Sequence, residues 1–406
     1  MPKLTSVDDA IYAILQQIEA VSIEQVSLAD NFNRVLAEEI TSDIDLPPFD
    51  NSAMDGFAIY AEDSEPAPVT LQVTMDIRAG AAPQTTLQRG QAARIMTGAP
   101  VPPGANAVIP VEDTDNDFSQ LDAQPMPSTV TLHKTVTIGN SIRKAGESIY
   151  NGQKVLQPGR IIGAAEIGML ASLGHAIVSV VRKPRVVILG TGDELIPVDQ
   201  PLAPGQIHDS NSYTLAALVQ QHGGEAIRLP IAADEPGAIR ALFQAALAQE
   251  PDLLISSAGV SVGAADYVRT ILEELGSLQF WRINMRPGKP LVFGNIQGVP
   301  FFGLPGNPVS AMVTFDVIVR PALLKLAGRP DTARYVETVV AETMHSDGRR
   351  TFARVSLQEQ DGRWLARETG TQSSGALVSM LLADGLLIIP EGIEQLEAGS
   401  SATVRL

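Results

Sequence analysis

The sequence predicts a multidomain protein that combines an α/β domain with all-β parts. Beyond Lys183, short apolar runs alternate with helical patterns, which is typical of a doubly wound parallel α/β sheet. Between Phe49 and about Lys144, short apolar runs broken by Gly, Pro and Asp indicate an all-β insertion. After Arg329 strand patterns return, so the last residues, about 75 of them, form a separate β domain. At about 150 residues per domain, 406 residues allow two to four domains.

The chain begins with an amphipathic helix. Ser6 can cap its first turn, and apolar residues follow at helical spacing: Val7, Ala10, Ile11, Ile14, Leu15 and Ile18. Further on, the apolar stretch Ile161–Val181 contains Glu166 and several glycines, which make it a poor membrane span. It predicts a buried helix followed by a strand.

The insertion is predicted to hold strands at Phe57–Tyr60, Val69–Val73 and Ala107–Val111. Its polar segment Asp113–Ser128 contains two prolines, and we expect a solvent-exposed loop there. The Asp and Asn residues beside glycine around Phe49–Ala58 are also consistent with simple turns.

The α/β domain has four predicted strands and four predicted helices. The strands are Arg185–Leu189, Ala226–Ile231, Asp252–Ser256 and Val299–Phe302, and the helices are Tyr213–His222, Pro236–Ala248, Ala265–Leu275 and Pro308–Ala327. In the last domain, Asp361 and Gly362 separate the strands Ala353–Gln358 and Arg363–Arg367, which predicts a two-residue hairpin turn if Gln360 closes the first strand.

Composition excludes several functional classes. Lys and Arg number 29 and Asp and Glu 46, so the net charge of −17 disfavours nucleic acids and anionic membranes as partners. The chain has no cysteine, which excludes disulfides, thiolate metal sites and cysteine nucleophiles, so any sulfur chemistry must come from a ligand. The segment Met1–Ala10 carries Asp8 and Asp9 and lacks the pattern of a secretory signal, and we expect a cytoplasmic protein.

Three glycine-rich loops follow strands of the α/β domain, where ligands bind in such sheets. They are Gly190–Glu194, Ser256–Gly263 and Gly303–Pro308. Their backbone amides could hold a phosphate or another oxyanion, although glycine also serves ordinary turns. None matches a dinucleotide-binding or P-loop pattern, so neither class of enzyme is expected.

Carboxylates and cations accompany these loops. Asp193, Glu194, Asp209 and Asp266 suit magnesium, while helix capping is an equal alternative for Asp209 and Asp266. His208 is best explained as a plain loop residue. The cations Arg282, Arg286 and Lys289 lie close together in the sequence, and they predict either an anion site or a solvated surface loop.

Taken together, these motifs resemble the molybdopterin molybdenumtransferase family, the bacterial relatives of the gephyrin E domain, over essentially the whole chain. The matching segments are FDNSAMDGFA at Phe49–Ala58, RIMTGAPVP at Arg94–Pro102, GTGDEL at Gly190–Leu195, GVSVGAADY at Gly259–Tyr267, RPGKP at Arg286–Pro290 and GLPGNPVS at Gly303–Ser310.

The resemblance implies four domains. They are an elongated N-terminal domain split into residues 1–48 and 145–182, a β insertion at 49–144, an α/β molybdopterin-binding domain at 183–328 and a C-terminal β domain at 329–406. It also implies an enzyme that inserts molybdate into adenylylated molybdopterin and releases AMP. The alternatives are a non-enzymatic molybdopterin-binding or scaffold protein on the same fold, and a tungsten-handling transferase.

The resemblance assigns roles to residues. Magnesium would be held by Asp193, Glu194, Asp209 and Asp266, and the residues nearest the chemistry would be Asp55, Glu194, Asp266 and Lys289. Molybdate and the pyrophosphate would contact Thr97, Gly98, Gly192, Gly259, Ser261, Gly263, Arg286, Lys289, Gly306, Asn307, Ser310, Arg354 and Ser374. The family forms homodimers in which the β insertion of one subunit completes the site of the other, and other proteins of molybdenum cofactor biosynthesis are expected partners.

Four positions depart from the usual family pattern. Ala258 stands where glycine is common, Arg286 where lysine is common, Ser148 where an acid is common and Asp384 where asparagine is common. An arginine fork is not equivalent to a lysine point charge, so these departures bear on rate and on oxyanion preference.

Overall fold

The structure is a computed structural model, and it describes residues 4–117, 125–257, 271 and 274–406. The chain divides into two compact units. One consists of Met1–Glu38, Pro158–Gly168 and Ala176–Leu406, and the other of Glu39–Gln157 and Met169–His175. Within the described ranges, no helix is long and apolar enough to cross a membrane.

The first 182 residues are mainly strands. They contain helices α1 (Val7–Leu15) and α2 (Ala164–Ser172), and strands β1 (Ile23–Ser27), β2 (Val35–Leu36), β3 (Ile40–Thr41), β4 (Asn51–Ser52), β5 (Gly56–Ile59), β6 (Val69–Ile77), β7 (Gln91–Ile95), β8 (Ala107–Pro110), β9 (Thr129–Leu132), β10 (Ile142–Arg143), β11 (Lys154–Leu156) and β12 (Ile177–Val181). The predicted helix-plus-strand reading of Ile161–Val181 is confirmed by α2 and β12.

The predicted first helix is also confirmed. The hydroxyl of Ser6 accepts a hydrogen bond from the Asp9 backbone N–H at 3.1 Å, which satisfies a free amide of the first turn. Val7, Ala10 and Ile14 face the core that covers one side of the α/β sheet.

The insertion forms a five-stranded sheet in the order β8-β5-β7-β6-β9, as its short apolar runs predict. Phe57 and Ile59 of β5 pack with Val130 and Leu132 of β9 in a core of its own. The predicted exposed loop Asp113–Ser128 is described only at its two ends, and near the first end Thr114 is buried, with its hydroxyl donating to the Val111 carbonyl at 2.7 Å.

The α/β elements lie between Arg185 and Leu326. They are helices α3 (Ser210–Gln221), α4 (Pro236–Leu247), α5 (Pro308–Thr314) and α6 (Arg320–Leu326), and strands β13 (Arg185–Gly190), β14 (Leu195–Ile196), β15 (Ile207–His208), β16 (Glu225–Arg228), β17 (Leu253–Ser257), β18 (Gly276–Arg282), β19 (Met285–Arg286), β20 (Pro290–Ile296) and β21 (Val299–Leu304). A π-helical turn, Phe315–Val319, joins α5 to α6. The predicted helix Ala265–Leu275 lies largely outside the described residues.

The main sheet has the order β16-β13-β17-β21-β20-β18. Its first four strands are parallel, and alternate residues of β13 face two separate cores: Val186 and Ile188 face one, while Val187 and Leu189 face the other. The predicted doubly wound arrangement is therefore confirmed, because both faces of the sheet are covered.

The parallel sheet is extended by two strands that the sequence did not predict, since β20 and β18 are antiparallel additions at one edge. The hairpin between β20 and β21 turns at Gln297 and Gly298, which both have positive φ. The predicted strand Ala226–Ile231 is also shorter than expected and ends at Arg228, two residues before Pro230, which has no N–H to donate.

The last part of the chain closes into a barrel. It contains helix α7 (Val378–Leu381) and strands β22 (Tyr335–Val340), β23 (Met344–His345), β24 (Arg350–Gln360), β25 (Arg363–Glu368), β26 (Gly385–Ile389), β27 (Gln395–Leu396) and β28 (Ser401–Arg405). The strand order is β19-β24-β25-β22-β28-β26, and β26 also pairs with β24, which closes the barrel. The predicted hairpin is confirmed, because Gln360 ends β24 and Asp361 and Gly362 both have positive φ.

Candidate active site

An acidic group lies at the end of β13. The carboxylate of Asp193 accepts a hydrogen bond from the Asp234 backbone N–H at 3.1 Å, and Glu194 packs against Gly192. Burial raises the pKa of Asp234, and the charges of Asp193 and Glu194 raise it further. Sequence reasoning missed Asp234, although it follows the parallel strand β16 and so belongs to the same sheet edge. These oxygens are of the type that magnesium prefers.

No group of three or more metal-binding side chains is arranged around a single point in the described part of the chain. Asp193 and Glu194 supply two carboxylates, and magnesium bound to two carboxylates would take water and substrate oxygens as its other ligands. Asp266, the fourth predicted ligand, lies outside the described residues, as do Ala258, Gly259, Ser261 and Gly263.

Asp209 is the N-cap of α3. Its Oδ1 atom accepts a hydrogen bond from the Ser212 backbone N–H at 3.0 Å, and the residue is buried. The capping alternative for Asp209 is thus confirmed. A Cβ atom at Gly190 would lie 3.6 Å from its second oxygen, Oδ2, so this oxygen faces the end of β13.

A cavity of about 580 Å³ lies beyond the ends of β13, β17 and β21, and we call it the sheet-end cavity. Glu194, Ser257 and Asn307 line it from the three predicted loops. The Asn211 side chain donates to the Gly306 carbonyl at 2.7 Å and so ties α3 to the third loop. His208 lies in β15 rather than in the predicted loop. Its Nε2 atom hydrogen-bonds with the Gln200 carbonyl at 2.9 Å, and the residue lines the sheet-end cavity.

A second cavity, of about 480 Å³, collects the predicted oxyanion ligands, and we call it the basic cavity. Five of them, taken from distant parts of the sequence, line it: Arg286, Lys289, Ser310, Arg354 and Ser374. Pairing of β19 with β24 brings Arg286 to the barrel. The prediction of an anion site at Arg286 and Lys289 is therefore favoured over that of a solvated surface loop. The third predicted cation, Arg282, does not line the cavity.

Arg354 is 2% exposed, although its guanidinium has no carboxylate partner among the described residues. Its Nε donates to Ser379 Oγ and its Nη2 to the Ser373 carbonyl, both at 3.1 Å. Burial lowers its pKa, the charge of Glu368 opposes this, and Arg286 adds to the lowering. Neutral acceptors hold the side chain, and burial outweighs the opposing charge of Glu368, which favours binding of an anion.

Sequence reasoning missed several residues of the basic cavity. The residues His345, Arg349, Thr351, Glu368, Gln372 and Ser373 line it, and each comes from a barrel segment without a recognisable motif. Arg349 is partly neutralised by an ion pair with Asp347 and donates to the Met285 carbonyl at 2.9 Å.

The two cavities are neighbours. Pro290 lines both, and the Asn307 side chain donates to Ser374 Oγ at 3.0 Å. The Val309 backbone N–H also donates to the Ser374 carbonyl at 3.1 Å. The start of α5 and the barrel are thus fixed to each other at the boundary between a glycine-loop cavity and a cationic one.

In the other compact unit, Asp55 and Thr97 form a local pair. Asp55 Oδ1 accepts hydrogen bonds from the Thr97 backbone N–H at 2.6 Å and from its hydroxyl at 2.9 Å. Gly98 follows with a φ of 78°. The two motifs of the insertion therefore meet, which their sequence separation does not reveal.

Two of the unusual residues have local roles. Asp384 accepts a hydrogen bond from the Leu357 backbone N–H at 2.7 Å, a bond that asparagine could also form. The backbone N–H of the exposed residue Ser148 donates to the Leu46 carbonyl at 2.9 Å.

Comparison with known proteins identifies the family. Three family models match: "MoeA N-terminal region (domain I and II)" at residues 5–174, "Probable molybdopterin binding domain" at 187–325 and "MoeA C-terminal region (domain IV)" at 337–406. The chain belongs to the MoeA family. The expected family and fold class are thereby confirmed.

Relatives of this MoeA chain are similar over their full length. It is 37% identical to molybdopterin molybdenumtransferase 2 of Mycobacterium tuberculosis, with 99% of each chain covered. It is also 37% identical to molybdopterin molybdenumtransferase of Nostoc sp., with 100% of this chain and 93% of that one covered. The crystal structure of a molybdopterin biosynthesis moeA protein from Pyrococcus horikoshii matches with a TM-score of 0.82 at 33% identity, covering 100% of this chain and 99% of that one.

Proposed function

We propose that this protein is a molybdopterin molybdenumtransferase, which inserts molybdate into adenylylated molybdopterin and releases AMP. One observation carries the proposal: five predicted oxyanion ligands converge in the basic cavity, directly beside the sheet-end cavity, in a member of the MoeA family. Because the chain has no cysteine, the sulfur atoms that bind molybdenum come from the pterin.

The two cavities divide the substrates between them. Arg286, Lys289 and Arg354 bind molybdate in the basic cavity, with hydroxyl donors from Ser310 and Ser374. The Gly190–Glu194 loop, which reaches the sheet-end cavity through Glu194, and the loop at Gly306 hold the pyrophosphate of the adenylylated pterin there, since their backbone amides can approach the phosphates closely.

Magnesium would be held by Asp193 and Glu194, with Asp209 and Asp266 as further candidates. When bound, it supplies charge neutralisation for the pyrophosphate as the bond to AMP breaks. Asp234 shares this acidic group, and burial together with the like charges of Asp193 and Glu194 raises its pKa, so a bound cation would relieve this repulsion.

We further infer a homodimer. Asp55 and Thr97 form a pair that carries a carboxylate and a hydroxyl, and in the family the insertion of one subunit completes the site of the other. We infer that Asp55 acts at the site of the second copy, with Thr97 holding its carboxylate in place. A monomeric protein with full activity would reject this part of the proposal.

The experiment mixes purified protein, magnesium and adenylylated molybdopterin with molybdate, and a parallel sample receives tungstate. We expect one molybdenum atom on each pterin and one AMP per metal inserted. Pterin binding without metal insertion or AMP release would instead support a non-enzymatic binding protein. Insertion of tungsten in preference to molybdenum would support the tungsten-handling alternative.

A further inference from the structure

One carboxylate lines the otherwise cationic basic cavity. Glu368 is the last residue of β25 and pairs in register with Val355, next to Arg354 on the neighbouring strand. It is partly buried, and its carboxyl group accepts no hydrogen bond from a side chain in the described ranges. An acidic side chain in a cavity built for an anion needs an explanation, because its negative charge opposes that of the ligand.

The charges around Glu368 come from four segments. Arg354 approaches from β24, Arg286 from β19 and His345 from β23, while Glu342 adds a like charge. The Glu342 carboxylate also accepts a hydrogen bond from the Glu368 backbone N–H at 3.0 Å. Lys289 lines the same cavity.

Burial raises the pKa of Glu368, and Glu342 raises it further, while Arg354, His345 and Arg286 oppose this. A dianion in the cavity adds a like charge and so favours the protonated form more strongly. Once protonated, the carboxyl group no longer repels the ligand and can donate a hydrogen bond to it.

We propose that Glu368 takes up a proton when an oxyanion binds in the basic cavity, and that it donates this proton to the oxide that leaves molybdenum during insertion. The second half rests on the proposed transferase function, whereas the first half concerns oxyanion binding alone.

The atoms balance without an added oxidant or reductant. Molybdate and the two pterin thiols give a trioxomolybdenum dithiolene and one water: two S–H bonds and one Mo–O bond break, and two Mo–S bonds and two O–H bonds form. The departing oxide needs two protons, which the thiols supply in total. Glu368 gives its proton to the oxide first and is then reprotonated by a thiol, while molybdenum stays in the same oxidation state.

The first test measures proton uptake during binding of molybdate alone. Titration calorimetry at one pH in buffers of different ionisation enthalpy counts the protons taken up. We expect close to one per molybdate for the wild-type protein at a pH between the pKa of the carboxyl group in the free protein and its higher pKa in the complex. Linkage then makes the affinity fall by up to about tenfold per pH unit in that range.

Variants identify the group that takes up the proton. Glu368→Gln should abolish most of the uptake and bind molybdate more tightly than wild type at pH 7.5, while Glu368→Asp should retain uptake. His345→Gln should also retain it, and so should Glu359→Gln, an exposed control on β24. Unchanged uptake in Glu368→Gln, loss of uptake in His345→Gln, or no molybdate binding by folded wild-type protein would overturn the proposal.

The second test follows metal insertion. Glu368→Gln should lower kcat at least about tenfold, as expected for loss of a general acid, while the KM for molybdate stays equal or falls. A structural defect would instead raise KM and lower thermal stability together. If wild-type protein shows Glu368-dependent proton uptake but releases no AMP, the transferase function fails and the proton-linked binding stands.

Discussion

Replacing Arg354 by glutamine tests whether the basic cavity binds the oxyanion, because Arg354 is a buried cation that lines this cavity. The wild-type guanidinium is 2% exposed and is held by Ser379 Oγ and the Ser373 carbonyl at 3.1 Å each. Glutamine removes the positive charge and keeps part of the side-chain volume. The cavity then retains Arg286 and Lys289, together with an Arg349 that is already paired with Asp347.

The size of the effect follows from the lost interaction. A hydrogen bond to a charged group contributes about 1.5–3 kcal/mol, which corresponds to roughly 10- to 150-fold in affinity. We therefore expect Arg354→Gln to weaken molybdate binding by one to two orders of magnitude. The free energy of unfolding should fall by only about 1–3 kcal/mol, because Ser379 Oγ keeps its hydrogen bond to the Ala376 carbonyl when the arginine is removed.

Equilibrium dialysis with radiolabelled molybdate measures the affinity, and chemical denaturation measures the stability. Arg367→Gln is the matched control, since Arg367 is an exposed arginine of β25 that does not line the cavity. Its affinity should stay within about twofold of wild type. If folded Arg354→Gln binds molybdate as tightly as this control, the basic cavity is not the oxyanion site.

Three further substitutions test local features by chemical denaturation. Asp209→Ala should lower the free energy of unfolding by about 0.5–2 kcal/mol because α3 loses its N-cap, whereas Asp209→Asn should lower it much less. Equal losses in the two variants would contradict the capping role. Gly288→Ala should destabilise by about 1–3 kcal/mol, because φ is +108° and the added Cβ would lie 2.4 Å from Thr314 Oγ1; a neutral effect would contradict this. Arg94 holds the pKa of Asp76 below its usual value, so this pair stabilises the fold fully above about pH 4 and progressively less as the pH falls through the folded-state pKa. Asp76→Asn should lower the free energy of unfolding by about 1–3 kcal/mol at pH 7 and by less as the pH falls below about 4. A loss that does not depend on pH would refute the pairing.

Local signals made much of the fold predictable. Ser6 before an apolar periodicity predicts α1, and Asp361–Gly362 between two strands predicts the hairpin, because each pattern determines only its own neighbourhood. The antiparallel strands β18 and β20 were missed. Prolines and cations in residues 282–290 indicate a loop, and they hid the strands on either side of it. The β20–β21 pair could have been found, because a short turn at Gln297 and Gly298 joins the two strands.

The sequence predicted those site residues that lie in recognisable motifs. Arg286 and Ser310 lie in recognisable segments, and the structure brings them together as expected. Arg349 and Glu368 have no such segment, since barrel closure alone brings their strands to the cavity. Asp234 could have been found, because it follows a parallel strand at the sheet edge where ligands bind.

The most direct test of the transferase function is the release of AMP from adenylylated molybdopterin by wild-type protein and magnesium, with and without molybdate. If the basic cavity binds the oxyanion that drives the reaction, AMP release should depend on molybdate and saturate with it, and Lys289→Gln should raise the concentration needed. Release at the same rate without molybdate, or no release at any molybdate concentration, would contradict the proposed function.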